Sequence, residues 1–332
     1  MSIHEGSGPL DSKERFLAAL AHRKPDRAPF NFWMDRRLMA QYEHRIGHRH
    51  WRVTHYGADV IETFAHLAFP TGPGVDRDGT WWQTEPHLKS WDDLDSLRLP
   101  DPNEDKVYDL IRRDMEEFPA TAVILDCPTP WGVIAGIRTY ELAYMDMLDH
   151  PEEFQTLARR IVEIQKVVIE RACRMGITAL YLMEDIATSR GLSMSPAMLE
   201  EFCLGYARQQ AEVARSFGVP VMFHSDGKIM EVLDLLASIG CRAVNPLQPH
   251  LNDLRDFKAR FGSRLALYGG LDNCFIIPDG TAEQVRAHVL EVFDTVGRPD
   301  GALIFSTHDI PLHTPPENVE TMVRTIKEQC TF

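Results

Sequence analysis

The sequence predicts an α/β protein built as a (β/α)8 TIM barrel, a single domain with a small hairpin insertion after strand two. Three observations carry that expectation. Short apolar runs alternate with longer helical periods along most of the chain, which is the signature of parallel strands joined by helical crossovers. The runs number eight: Ala28–Trp33, Asp59–Phe64, Ala120–Leu125, Ile177–Met183, Val219–Phe223, Ala243–Asn245, Leu265–Gly269 and Ala302–Phe305. No Gly-x-Gly-x-x-Gly follows any of them, which counts against the doubly wound open sheet that is the alternative.

Each element has its own local reason. Asp11 precedes a first helix carrying Phe16, Leu17 and Leu20 on one face, with Glu14 placed for a capping box. Residues 75–83, VDRDGTWWQ, spell a hairpin. Phe154, Leu157, Ile161, Ile164 and Val168 recur every three or four positions, and so do Ile229, Val232, Leu233, Leu236 and Ile239. Ser195-Pro196 is an N-cap followed by proline at the first helical position. Thr281–Gln284 and Thr314–Glu317 have the capping-box spacing. No Ser/Gly-rich linker divides the chain, so residues 1–10 read as a flexible N-terminus and residues 11–332 as one domain.

Composition narrows the function classes. A net charge of -14 argues against broad nucleic-acid binding, which needs a basic face. No apolar run reaches the roughly 18 residues of a membrane span, and the polar start has no leader-like core. Six scattered cysteines without a Cys-x-x-Cys pair read as reduced thiols of a cytoplasmic protein. Cys127 and Cys274 are expected to be small packing residues, Trp81-Trp82 to pack within the hairpin, and His44, His48, His50 and His55 to be incidental.

In such a barrel the active site lies at the C-terminal ends of the strands. The residues placed there are Asp35, Arg36 and Arg37 after strand one, and Glu62 and His66 near the end of strand two. Asp126 follows strand three and Glu184-Asp185 strand four. His224, Ser225, Asp226 and Gly227 follow strand five, Asn245 and Gln248 strand six, Asp272 strand seven, and His308-Asp309 strand eight. One strand-end histidine is ordinarily a satisfied structural group. Two, on strands five and eight, converge only if the sheet curls. Asp226 is as well placed to cap the next helix as to act in a site. His224, His308, Glu184 and Asp35 are the catalytic candidates. Arg36, Glu62, Asp126, Asn245, Gln248 and Asp272 are the substrate-binding ones.

Several long segments carry a family resemblance. RFLAALAHRKPDRAPFNFW (15–33), YELAYMDMLDHPEEF (140–154), MFHSDGKIMEVLDLLASIGCRAVNPLQP (222–249), LALYGGLDNCFIIPDGTAEQV (265–285) and STHDIPLHTPPENV (306–319) resemble, in order, the uroporphyrinogen decarboxylase superfamily. The resemblance implies a (β/α)8 barrel with one deep pocket. One branch removes acetate carboxyls from a tetrapyrrole without a cofactor. The other moves methyl groups between a corrinoid protein and a thiol or methoxylated substrate, usually with zinc held by a His-x-Cys pair and a later Cys. The decarboxylase arginine motif is absent: MDRRLMAQY (34–42) stands in its place, with Arg36 or Arg37 as partial substitutes. IETFAHL (61–67) replaces the segment that carries the decarboxylase aspartate. His224-Ser225-Asp226 stands where His-x-Cys would be, with His308 near the late Cys and Gln248 near a Glu of some members.

The resemblance thus implies a metal set of His224, Asp226 and His308, a nitrogen/oxygen site for zinc or another divalent ion. A metal-free site with the two histidines as acid/base groups is equally open. The leading function is a cytoplasmic methyltransferase acting between a small methoxylated or methylated substrate and a corrinoid carried by a partner protein. The alternative is a decarboxylase of a tetrapyrrole or other carboxylate, with no cofactor. A non-catalytic tetrapyrrole or corrinoid binder is a third reading. Nucleic acid and membrane are not expected partners, and a homodimer is one assembly open to the chain.

Overall fold

The computed structural model describes residues 9–77 and 80–332. The strands are β1 Val60–Thr63, β2 Gly74–Arg77, β3 Thr80–Gln83, β4 Ala122–Pro128, β5 Ala179–Met183, β6 Ala187–Thr188, β7 Gly191–Leu192, β8 Val221–Ser225, β9 Cys241–Pro246, β10 Ala266–Gly270 and β11 Leu303–Ser306. Seven of them form one parallel sheet in the order β1-β4-β5-β8-β9-β10-β11, with helices between consecutive members. The sheet is curled and TIM-barrel-like: Tyr268 on β10 donates its hydroxyl hydrogen to Glu62 on β1, far away in strand order.

The eighth expected strand, Ala28–Trp33, is not part of this ladder. It lies between the two sheet edges and bonds to each: Phe305 N donates to Pro29 O, Asn31 N to Phe305 O, and Asp59 N to Phe30 O. Two features of the sequence prevent a regular ladder. Pro29 has no N–H to give, and the N–H of Phe30 is taken by the Asp59 side chain at 2.9 Å.

Alternation along the strands separates two cores. Outward residues such as Leu125, Leu180, Leu182, Phe223 and Val244 pack against the surrounding helices. Inward residues Val60, Ala122, Ile124, Ala179, Met222, Ala243, Ala266, Ala302 and Ile304 pack with Phe16, Ala19 and Leu20 of the first helix, Ser12–Leu20. That helix seals the N-terminal end of the sheet. It starts at the expected capping box, where Asp11 accepts from Glu14 N and Glu14 accepts from Asp11 N.

Other local expectations meet mixed outcomes. The helix Pro151–Met175 buries the predicted face, and Ser195 and Thr281 cap as read. Thr314 does not: Pro316 opens its helix one residue late, so the N-cap falls on Pro315, which has no side-chain oxygen. Asp226 caps nothing, because the next α-helix begins only at Leu233. β2 and β3 pair antiparallel, while the turn residues 78 and 79 lie outside the described residues, as do residues 1–8 of the expected flexible terminus. The ring of Trp81 covers Gly74, yet Trp81 and Trp82 both stay more than half exposed. His48 and His50 are not incidental. They bond Glu117 and Asp114, tying the loop before Trp51 to the helix Asp109–Glu117.

Asp59 is fully buried and accepts from Arg15, Arg27 and the backbone of Phe30. It joins the sealing helix, the 28–34 segment and β1. Asp59→Ala takes the buried acceptor from Phe30 N, from Arg27 and from one arm of Arg15, so stability should fall by about 3–5 kcal/mol. Urea unfolding measures this. A loss below about 1 kcal/mol would show that the cluster does not hold the segment.

Candidate functional site

The inner face changes character toward the C-terminal ends of the strands, where polar side chains replace Ala, Val and Ile. Alternation on β8 puts Met222 and His224 inward, and Asp226 continues the series. His308 follows β11 at the same level. The curl brings the His224 and His308 rings to 5.9 Å, nearly parallel, and His308 Nε2 lies 3.1 Å from Asp226 Oδ2. Ligand-capable atoms of His224, Asp226 and His308 all fall within 4.8 Å of one another, the one such group of three among the described residues. Asp226 Oδ1 is buried without a partner. Burial raises the Asp226 pKa, against the pull of His308 and His224, and burial raises Asp309 beside them.

His224 is oriented from behind. Asn245 Nδ2 donates to Tyr268 O at 2.7 Å, so its Oδ1 is the acceptor for Tyr181 Oη and for His224 Nδ1 at 2.7 Å. The proton of neutral His224 therefore sits on Nδ1, and the Nε2 lone pair faces the mouth, where Asp185 Oδ1 is 3.6 Å away. Asp185 also accepts from Asp226 N at 2.9 Å.

Below this group lies a polar floor. Glu62 accepts from Tyr268 Oη and from Asn31 Nδ2 at 3.1 Å. Arg52, buried, stacks 4.2 Å over the Trp33 ring and donates to Phe32 O at 2.6 Å. Its charge acts on Glu62 and Asp126. Asp126 makes no hydrogen bond or ion pair with the described residues, and its pKa is raised well above the carboxylate range, first by burial and then by the charge of Glu62.

Other expected site residues serve the scaffold. Glu184 points outward from the end of β5, where its carboxylate accepts from Thr129 Oγ1 and from Gly132 N at 2.8 Å. It sits against the start of the helix Pro130–Arg138. Burial pushes its pKa up to about 8 despite those bonds. Asp272 accepts from Cys274 N and Phe275 N, both at 2.8 Å, and fixes its own loop. Gln248 holds the Gly227 turn through Gly227 N at 2.9 Å. There a Cβ would meet Thr188 O at 2.6 Å, and φ is +87°. Asp35 caps the helix Arg36–Ile46 and pairs with Arg37, which lowers its pKa. Arg36 pairs with Asp76 of β2.

Arg52, Asn31, Tyr181 and Tyr268 were not singled out by sequence, and Asp185 and Asp309 were placed at strand ends without being chosen as candidates. Strand parity was the available signal for the two tyrosines and for Asp185. Counting inward from Ala179 selects Tyr181 and Asp185 and passes over Glu184.

The family model described as "Uroporphyrinogen decarboxylase (URO-D)" matches residues 77–329, most of the chain. The chain belongs to the uroporphyrinogen decarboxylase family. Among its curated relatives are the uroporphyrinogen decarboxylase of Syntrophotalea carbinolica, 27% identical over 252 residues, covering 72% of this chain and 70% of the relative. That of Coxiella burnetii is 23% identical over 282 residues, covering 81% and 73%. A methyltransferase from Methanosarcina mazei shares the fold at a TM-score of 0.71 and 15% identity, covering 96% of this chain and 99% of the other. The URO-D match contains Asp126 and the His224, Asp226 and His308 group; Asn31, Arg52 and Glu62 precede it. No helix among the described residues is long and apolar enough to cross a membrane.

Glu184 supplies a pH prediction. Its folded pKa, about 8, is above the ordinary glutamate value of 4.5. Its contribution is therefore intact below pH 4.5 and declines as pH rises toward 8. Glu184→Gln should gain stability relative to the native chain by a few kcal/mol, as an order of magnitude, over that rise. Urea midpoints compared from pH 5 to pH 9 should diverge. Parallel curves would place the ionised carboxylate in the folded state throughout.

Proposed function

We propose that this URO-D family protein is a metal-dependent methyltransferase that moves a methyl group between a small methoxylated or methylated substrate and a corrinoid protein. The observation that carries the reading is the convergence of His224, Asp226 and His308, with one oxygen of Asp226 buried and unpaired. Two imidazoles and a carboxylate suit zinc or a similar divalent ion. Such an ion, held by these three residues, would supply Lewis acidity toward an ether oxygen of the substrate. Asn245 fixes His224 with its Nε2 lone pair forward, while Tyr181 supports Asn245 from behind. Asp185 holds the backbone of Asp226 and so the direction of its carboxylate. Zinc and the corrinoid partner belong to this proposal, as does closure of the curled sheet into a full eight-stranded barrel by the 28–34 segment.

The second reading is a decarboxylase, favoured by the names of the curated relatives. There His224 and His308 would serve as proton donor and acceptor. The charge of the mouth speaks against a polycarboxylate substrate, which wants guanidinium partners. Arg36 is engaged with Asp76, Arg37 with Asp35, and Arg52 with Phe32 O, while Glu62, Asp126, Asp185, Asp226 and Asp309 surround the site.

Metal analysis with activity assays tests the proposal. The native chain should bind one divalent ion per chain and demethylate a methoxylated substrate in the presence of cob(I)alamin. It should turn over uroporphyrinogen negligibly. His224→Ala and His308→Ala should each lose metal and activity together, with thermal stability nearly unchanged in chelator. Coproporphyrinogen formed at an enzymatic rate by metal-free protein would establish the decarboxylase. Full activity in both variants would reduce the histidines to packing.

A further inference from the structure

The floor beneath the three candidate ligands has too many acceptors for its donors. Asn31 is almost wholly buried and gives its amide hydrogens to Glu62 and Tyr268, leaving its Oδ1 without a partner. One oxygen of Glu62 and one of Asp126 are likewise buried and unpaired. Both carboxylates keep part of their surface open on the inward side. The guanidinium of Arg52 acts on them by charge alone, its hydrogen bond going to Phe32 O. Around them stand the rings of Tyr181 and Tyr268, with centroids 5.8 Å apart.

Unpaired buried acceptors are costly unless something supplies donors. Asp185 and Asp309 add to the negative charge of the mouth, and Arg52 is the one cation bonded into the floor among the described residues. The missing component is therefore both donor-rich and positive, and aromatic walls favour a cation over a neutral group.

We infer that the floor is a seat for an organic ammonium group, in which Glu62 and Asp126 receive the N–H donors of a protonated amine borne by the substrate. For the reaction this rests on the methyl-transfer reading above, but binding at the seat does not need it. The raised pKa of Asp126, caused by burial and by Glu62, accords with a carboxyl whose counter-cation is supplied from outside. An amine anchored there would leave the rest of a small molecule directed at His224, Asp226 and His308. The substrate class is then a short methylated or methoxylated amine.

A charge series tests the seat in the full chain. 2-Methoxyethylamine, 1-methoxypropane and methoxyacetate have nearly one shape and are positive, neutral and negative. Ligand-observed NMR titration at neutral pH, in chelator, gives their Kd values without metal or corrinoid. The amine should bind about tenfold or more tightly than the neutral ether, and methoxyacetate should not compete. Asp126→Asn and Glu62→Gln should each weaken the amine by about tenfold and leave the ether unchanged. Asp126→Asn keeps the shape and replaces a carboxyl whose buried oxygen has no partner, so it should fold about as stably as the native chain. Equal binding of amine and ether, tighter binding of methoxyacetate, or indifference to both substitutions would overturn the inference. A preserved amine preference without methyl transfer would count against the reaction and leave the seat standing; methyl transfer without the preference would do the reverse.

Discussion

The buried carboxylate of Asp59 is the constraint on which the site depends. It accepts from Arg15, Arg27 and Phe30 N, and so locates the segment that lies between the first and last strands of the sheet. That segment carries Asn31 inward onto Glu62 and Tyr268, and it carries Trp33, on which Arg52 stacks. A fully buried carboxylate is tolerated because two guanidiniums and an amide surround it. Without them the floor of the site would have neither its hydrogen bonds nor its counter-charge.

Chemistry at the mouth follows from alternation along the strands. Several strands begin inside with an apolar residue under the first helix and end inside with a polar one. On β1 the pair is Val60 and Glu62, on β8 Met222 and His224, on β10 Ala266 and Tyr268. The same two-residue period aims the outward side chains at the helices. Cohesion and function thus share each strand without competing for positions.

Much of this was legible in the sequence. Apolar runs located the seven strands of the sheet, and the rule that sites form at strand ends selected His224, Asp226, Asn245 and His308, which do converge. The errors have physical causes. Ala28–Trp33 has the apolar content of a strand, but Pro29 and the diverted N–H of Phe30 keep it from forming a ladder. Glu184 was preferred to Asp185 because both are strand-end acids, and only parity tells which faces in. Asp272 and Gln248 sit at the right height but spend their oxygens on local turns, which depends on loop conformations that no periodicity encodes. Arg52 lies on the short helix Trp51–Thr54, far from any strand end, and reaches the floor by tertiary packing alone.

Family membership and fold leave both chemistries of the group open, so the side chains at the mouth must decide between them. Two imidazoles and a carboxylate meet there, while Cys127 stands apart: burial pushes its thiol up to about 12, and its sulfur faces Gln210. The proposed metal ligands are nitrogen and oxygen from His224, Asp226 and His308. Loading the purified chain with Co(II) and recording its optical spectrum tests this most directly. One equivalent of cobalt should give visible ligand-field bands without near-ultraviolet thiolate charge transfer, and Asp226→Asn or His308→Ala should abolish them. A thiolate band, or bands that persist in both variants, would contradict it.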